Sequence, residues 1–438
     1  MTHSNLAFLP GFWRLAIVNI LSNLMVPLAG LIDIAFLGHL SEIRHLAGVA
    51  LATILFNYIY WTFGFLRMST TGMTAQALGR EDQDAVLLIG LRHALLALAI
   101  GGFILLVQHP LEAIGFAILS ATAAVKASGQ AYYQALIWGA PANLLGFVLV
   151  GWFLGKAQSS KVLILTLVNS LTNIGLDYLF IQQWHWGSAG AGAATAISQY
   201  SMTAVGILLV MREVQWQQVR PILPKLYEPQ ALKAAFALNG EIVIRTFALV
   251  TTFSLFTNLS SLLGTAILTT NTVLLQVVSF AAYFIDGLAF ATESLAGLFH
   301  GKRSTHELIH LLRVSGIASF VLGLLFALLF ILLPQPLFRL LTNHPDILDR
   351  IPTYVPWLLP ILGFGSIAYM LDGYFLGLTQ GKILRQASLL SSLLGFLPVA
   401  IVAWYFHNNH LLWLALTCFM IARTLTLGSR VAATFKLK

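Results

Sequence analysis

Gly151-Trp152-Phe153-Leu154-Gly155-Lys156-Ala157-Gln158 returns in the second half of the chain as Gly373-Tyr374-Phe375-Leu376-Gly377-Leu378-Thr379-Gln380. The same offset lays Gly79-Arg80 on Gly301-Lys302. Each copy closes a long apolar run, and matched runs have the same predicted direction. The chain therefore reads as two tandem halves, a parallel internal repeat about an axis along the membrane normal.

Composition says what those runs are. Of 438 residues, 58% are hydrophobic and 9% charged, whereas a soluble domain carries about 25% charged residues. Runs of this length suit helices crossing a hydrocarbon core of roughly 30 Å, and they are far too long for strands. The fold class expected is an all-α polytopic membrane protein with twelve transmembrane helices in two six-helix lobes. The spans read as roughly 12–37, 46–75, 87–108, 130–152, 160–182, 189–211, 234–260, 266–298, 308–333, 352–377, 384–406 and 411–432. The N-terminal lobe covers 1–211 and the C-terminal lobe 234–438. Between them, 212–233 carries three prolines and mixed charge and is expected to be a cytoplasmic linker.

The net charge of +8 fits topological bias better than nucleic-acid binding. Only Arg44, Lys126, Arg339 and Arg350 fall on one side of the predicted spans. The other side gathers most of the rest, from Arg14 and Arg80 to Lys436 and Lys438. By the positive-inside rule both termini and the linker are cytoplasmic. No cleavable signal peptide is expected, because the first apolar run continues well beyond signal length. The one cysteine, Cys418, excludes an intrachain disulfide and a multi-cysteine metal or iron–sulfur site.

An ionisable residue at membrane depth marks a functional site by default. In the first span, Asp33 shares a helical face with Gly30, Val26, Asn23 and Asn19. In the fifth, Asp177 shares one with Asn173, Ser170 and Thr166, at a similar depth. The sixth offers Ser188, Gly192, Thr195 and Gln199. Three polar stripes of one half thus converge in the outer leaflet. Two carboxyl groups with hydroxyl and amide neighbours share protons, because burial and like charge both favour the protonated form. They can equally ligate Na⁺ through oxygen, or simply hold helices together.

The second half has its own charges. Asp286 and Glu293 lie on one face of the eighth span, and Arg245 follows Glu241 by one turn, a pairing that helix geometry favours. They read either as a self-balancing network or as a substrate-linked site. Asp372, near a span end, is expected to be solvated, and only Arg67 and Arg245 are expected to lie deep. No phosphate-binding loop, histidine–acid constellation or other catalytic motif emerges, so an enzyme is not expected, and neither is a cofactor.

The run Pro27-Leu28-Ala29-Gly30-Leu31-Ile32-Asp33-Ile34-Ala35-Phe36-Leu37-Gly38-His39-Leu40 resembles the first helix of multidrug and toxic compound extrusion (MATE) transporters. Asn173-Ile174-Gly175-Leu176-Asp177-Tyr178-Leu179-Phe180 and Gly190-Ala191-Gly192-Ala193-Ala194-Thr195 resemble its fifth and sixth. Ile285-Asp286-Gly287-Leu288-Ala289 and Gly151-Trp152-Phe153-Leu154-Gly155 resemble the DNA-damage-inducible, DinF-type branch. The resemblance implies twelve helices in two lobes and antiport of organic, often cationic, compounds against H⁺ or Na⁺. It implies a cation site at Asp33, Asn173, Asp177 and Thr195, and a lesser role for Arg245 and Asp286. The chain departs from that pattern at Leu298, where relatives usually carry Gln. It departs again after the fourth span, where Gly-Asp-Thr is missing, and at its only first-span proline, Pro27, which lies in the outer half.

The expectation is a secondary antiporter exporting drug-like organic compounds by alternating access, H⁺ preferred over Na⁺ as the coupling ion. It would sit as a monomer in the bacterial inner membrane, with the bilayer, small organic substrates and the coupling ion as partners and no nucleic acid. The alternative is a flippase of a lipid-linked intermediate, which needs a strongly cationic cleft.

Overall fold

The computed structural model describes residues 8–40, 42–342 and 344–435. Lys436 and Lys438 of the charge count, and the side chain of Val26, lie outside the described residues. Among the described residues, twelve helices are long and apolar enough to cross a membrane. They are α1 (Leu9–Gly38), α2 (Arg44–Gly79), α3 (Gln83–Leu106), α4 (Ala123–Gly155), α5 (Ser159–Gln183) and α6 (Gly187–Glu213), then α7 (Pro229–Leu262), α8 (Thr265–Gly301), α9 (Thr305–Leu332), α10 (Pro345–Gly377), α11 (Gly381–Tyr405) and α12 (Asn409–Thr434). Every long apolar run became a helix because only intrahelical bonding satisfies its backbone without water.

The repeat is written into the backbone. Among the described residues, six that are not glycine hold positive φ: Glu81, Ala157, His185, Arg303, Thr379 and His407. They form three pairs, Glu81 with Arg303, Ala157 with Thr379 and His185 with His407, all separated by the offset that relates Gly151 to Gly373. A left-handed residue just past a helix end lets the following amides reach back to the last carbonyls. After α2 and α8, Asp82 N–H reaches Ala77 O and Ser304 N–H reaches Phe299 O, both at 3.0 Å. After α4 and α10, Gln158 N–H reaches Phe153 O at 2.8 Å and Gln380 N–H reaches Phe375 O at 2.9 Å.

Helix seating repeats as well. A Cβ on Gly151 would stand 2.5 Å from the carbonyl oxygen of Arg67, and one on Gly155 would stand 2.7 Å from that of Thr71. In the other half Gly373 lies on the carbonyl of Ala289 and Gly377 on that of Glu293. Ala289 and Glu293 are the repeat equivalents of Arg67 and Thr71 at that same offset. Glycine pairs four apart thus let α4 lie against α2, and α10 against α8, at backbone distance. Small residues are the usual means of close helix approach where lipid removes the hydrophobic drive.

The chain divides into two compact units, Leu21–Ala235 on one hand and Phe236–Lys438 with Met1–Ile20 on the other. In the first, the proline-containing stretch after α6 is docked. Ile222 and Leu226 pack with Leu88, and Arg92 donates to the carbonyls of Leu226 at 2.9 Å and Lys225 at 2.5 Å. At the far end His45 accepts a hydrogen bond from the Ser188 N–H (3.2 Å) at the start of α6, where orphan amides need partners. In the second unit, Phe256, Leu274, Trp413 and Phe419 anchor the apolar core. There Asn271 and Asn409 exchange amide bonds of 2.7 and 3.0 Å, and Trp413 Nε1 donates to Asn271 Oδ1 at 2.9 Å. These mutual bonds satisfy amides that burial would otherwise leave orphaned.

The glycine seats carry a prediction. Gly151→Val and Gly373→Val each force two backbones apart and should cost about 1–3 kcal/mol, read as a lowered thermal-unfolding midpoint of the detergent-purified protein. Gly102→Ala is the control, because nothing lies within 4 Å of a Cβ there. Equal behaviour of all three variants would contradict the seating.

Candidate functional site

Asp33 and Asp177 meet. Their carboxyl groups, one from α1 and one from α5, stand in side-chain contact. Asp177 is 0% exposed. Both its oxygens, and Oδ1 of Asp33, are buried with no N–H or O–H donor of the described residues reaching them. Two hydrogen bonds tie α1 to α5 on either side of the pair: Ser170 Oγ donates to Met25 O at 3.4 Å, and Gln182 Nε2 donates to Phe36 O at 3.2 Å.

Asn173, one turn before Asp177 on α5 and 4% exposed, donates through Nδ2 to Thr195 Oγ1 on α6 at 3.3 Å. Thr195 in turn donates to Ala191 O at 3.0 Å. The four residues singled out from the three stripes therefore form one cluster of oxygens from α1, α5 and α6. Directly after Asp177 the helix widens into a π turn, Tyr178–Gln183, a deformation frequent at functional sites.

Other stripe residues are used elsewhere. Thr166 bonds its own helix at Leu163 O, and Ser188 is taken by His45. Gln199 packs beside Gly139. Asn19 is buried within the other compact unit. One member was not foreseen. The hydroxyl of Tyr132, on α4, lies against Thr53 and Thr195 and close to both carboxyl groups. It reaches there because α6 carries Gly192, where a Cβ would stand 2.5 Å from the Tyr132 carbonyl. A lone tyrosine in an aromatic-rich span gives no sign of this in the sequence.

The second unit corrects the sequence reading. Asp372 is not solvated: it is 4% exposed and held by Arg245 and by Arg423 together. Arg423, on α12 and 1% exposed, is a deep arginine that the reading missed. Its guanidinium lies 5.4 Å from the Tyr369 ring and 5.7 Å from that of Phe419, within the range of cation–π attraction. The pairing expected between Glu241 and Arg245 is replaced by two others, Glu241 with Arg385 at 3.0 Å and Arg245 with Asp372. Asp286 lies within electrostatic reach of Tyr283 and Tyr369. Glu293 is fully buried on α8 beneath Gly377. Asp286 and Glu293 both have partners. Among the described residues no three of His, Cys, Asp and Glu converge as metal ligands. A cation at Asp33 and Asp177 would draw its remaining ligands from hydroxyl and amide oxygens.

The MatE family model matches residues 19–179 and 242–405. Over 419 residues the chain is 33% identical to DNA damage-inducible protein F of Escherichia coli (strain K12), covering 95% of this chain and 90% of that protein. It is 23% identical over 341 residues to a probable multidrug resistance protein NorM of Thermotoga maritima, covering 77% and 73%. Its fold matches that of a MOP superfamily transporter from Pyrococcus furiosus with a TM-score of 0.88 over 98% of this chain and 96% of the other. It matches the Vibrio cholerae MATE transporter VcmN with a TM-score of 0.87 over 98% of each. Both structures are 19% identical in sequence, which supports the shared fold.

Truncating one partner of a buried ion pair strands the other charge, a loss of about 3–5 kcal/mol. Arg423→Ala and Asp372→Ala should therefore each lower the thermal midpoint in detergent far more than Arg385→Ala, whose pair with Glu241 is part-exposed. A midpoint unmoved by Arg423→Ala would overturn the assignment of this triad.

Proposed function

The chain belongs to the MatE family of multidrug and toxic compound extrusion transporters, in its DinF-type branch, and from that membership we propose that it exports organic, often cationic, compounds in exchange for H⁺, with Asp33 and Asp177 as the coupling pair. It is a polytopic secondary transporter. The observation that carries the coupling assignment is the contact between two carboxyl groups on different helices, with no donor among the described residues reaching Asp177 or Oδ1 of Asp33.

Two carboxylates in contact repel, and in a site with little water the repulsion is screened weakly. The pair is relieved by one proton shared between the groups or by a cation held between them. In the exporting cycle, the deprotonated pair opens to the outside and takes up H⁺. Protonation removes the charge that a closing site would bury, substrate leaves, and inward opening returns the proton. Coupling requires that the ion bind the two states with different affinity. Contact between the acids in one state and separation in another supplies that difference. Asn173, Thr195 and Tyr132 hold the geometry and offer oxygens, and the same oxygens would serve Na⁺, the alternative ion. The same reading takes the protein to work as a monomer in the bacterial inner membrane, with both termini cytoplasmic as the positive-inside rule suggests.

A flippase would need cationic groups able to take a pyrophosphate. The two deep arginines of the second unit, Arg245 and Arg423, are both held by Asp372, which favours the antiporter.

In proteoliposomes loaded with a dye panel, Asp33→Asn and Asp177→Asn should each abolish efflux driven by a pH gradient. Replacing the H⁺ gradient by a Na⁺ gradient of equal size should not sustain wild-type efflux. Undiminished pH-driven efflux in Asp33→Asn sinks the coupling assignment, and efflux under Na⁺ alone moves it to that ion.

A further inference from the structure

On α9, one turn apart, His306 and His310 converge to 3.1 Å between their Nε2 atoms. Residues four apart share a helix face, but the shared face alone does not aim two imidazole nitrogens at one point. Here the ring centroids are 4.4 Å apart and the planes cross at 66°. His306 is exposed and His310 half-buried, so the convergence is open to water and to solutes. As a hydrogen bond the contact joins one N–H to one lone pair. With both rings turned to acceptors it needs a cation.

The spacing has the size of a metal chelate. Two imidazole nitrogens each about 2.05 Å from one ion stand about 3.3 Å apart in a tetrahedral site and about 2.9 Å in an octahedral or square one. The observed 3.1 Å falls between those two values. We infer that His306 and His310 form a two-nitrogen chelate for a borderline divalent transition ion, Zn²⁺, Ni²⁺ or Cu²⁺. Water completes its coordination, since no third His, Cys, Asp or Glu joins the pair among the described residues. Imidazole selects this class over Mg²⁺ and Ca²⁺, which take oxygen ligands.

The surroundings set the strength. Lys302 and Arg303 precede α9, Arg313 follows His310 by three residues, and Glu307 sits between the two histidines in sequence. Three positive side chains against one negative oppose any cation held by charge alone, so binding rests on the nitrogen bonds. Chelation would clamp the first turn of α9 to its second, shortly after the end of α8. The site is independent of Asp33 and Asp177 and of what the protein exports.

The test uses the full chain, purified without a histidine tag, stripped with EDTA and titrated with NiCl₂ and ZnCl₂ by calorimetry in detergent. One ion per protein should bind, with affinity at least about tenfold weaker in His306→Ala and in His310→Ala, as expected when one of two ligands is lost. The His407→Ala variant should bind as the wild type does. A second readout needs no variant: Zn²⁺ should slow carbethoxylation of His306 and His310, but not of His407, measured by mass spectrometry. Unchanged binding in the His306→Ala/His310→Ala double variant, or equal modification of His306 and His310 with and without Zn²⁺, overturns the proposal.

Discussion

Glycine puts backbone on backbone at equivalent places in the two halves of this chain, and other positions follow from that contact. With Gly151 and Gly155 on the carbonyls of Arg67 and Thr71, α4 has one available position beside α2. That fixes where the earlier turns of α4 travel. Tyr132, several turns before Gly151, is delivered to Thr53 of α2 and Thr195 of α6. Gly192 then allows α6 to close on the Tyr132 carbonyl, and Thr195, three residues on, faces Asn173. The oxygens beside the acid pair are thus positioned by residues that have no side chain.

The frame repeats, whereas the charges do not. Advanced by the repeat offset, Asp33 and Asp177 fall on Leu255 and Val399, and moved back by it, Asp372 and Arg423 fall on Val150 and Ser201. Each half has therefore placed these acids at positions where its counterpart is neutral. The solutions differ in energy as well as place. Asp372 is neutralised inside its own unit by two guanidinium groups, an arrangement costly to break and indifferent to outside ions. Among the described residues no such cation is paired with Asp33 or Asp177, which is why we propose that their balancing charge comes from solution. A tethered counter-ion suits a strut, while an untethered one suits the coupling role proposed for the acid pair.

This division also explains what was legible in the sequence. Asp33, Asn173, Asp177 and Thr195 lie on regular helical stripes of polar residues, and the helical period exposes such stripes in an apolar chain. The glycine pairs were legible as repeated spacing, and span ends followed from length and charge. Arg423 and Asp372 were not, because their partnership joins α10 to α12, far apart in the chain, and neither sits on a polar stripe. Asp372 lies close to the end of α10, where depth in the bilayer suggested water, whereas packing against α7 and α12 decides its surroundings. The i, i+4 rule proposed Glu241 for Arg245, and a buried acid on another helix outcompeted it. Tyr132 was hidden by the number of its neighbours: one useful phenol among many aromatic residues has no periodic signature.

Around the acid pair, α1 is tied to α5 by two contacts of 3.4 and 3.2 Å, at the long end for hydrogen bonds. Gly30, one turn before Asp33, has no neighbour within 4 Å of a Cβ. Pro27 lies within the helix, where it withholds one backbone N–H from the ladder. Asp177 by contrast sits fully buried on α5 beside the Asn173–Thr195 bond. On the coupling proposal, a shared proton would add an O–H···O⁻ bond between the acids to the two long ones, and its loss would leave two like charges in contact. In the proposed cycle a single proton would therefore change the sign of the interaction between α1 and α5 at the acid pair, the kind of differential affinity that coupling requires.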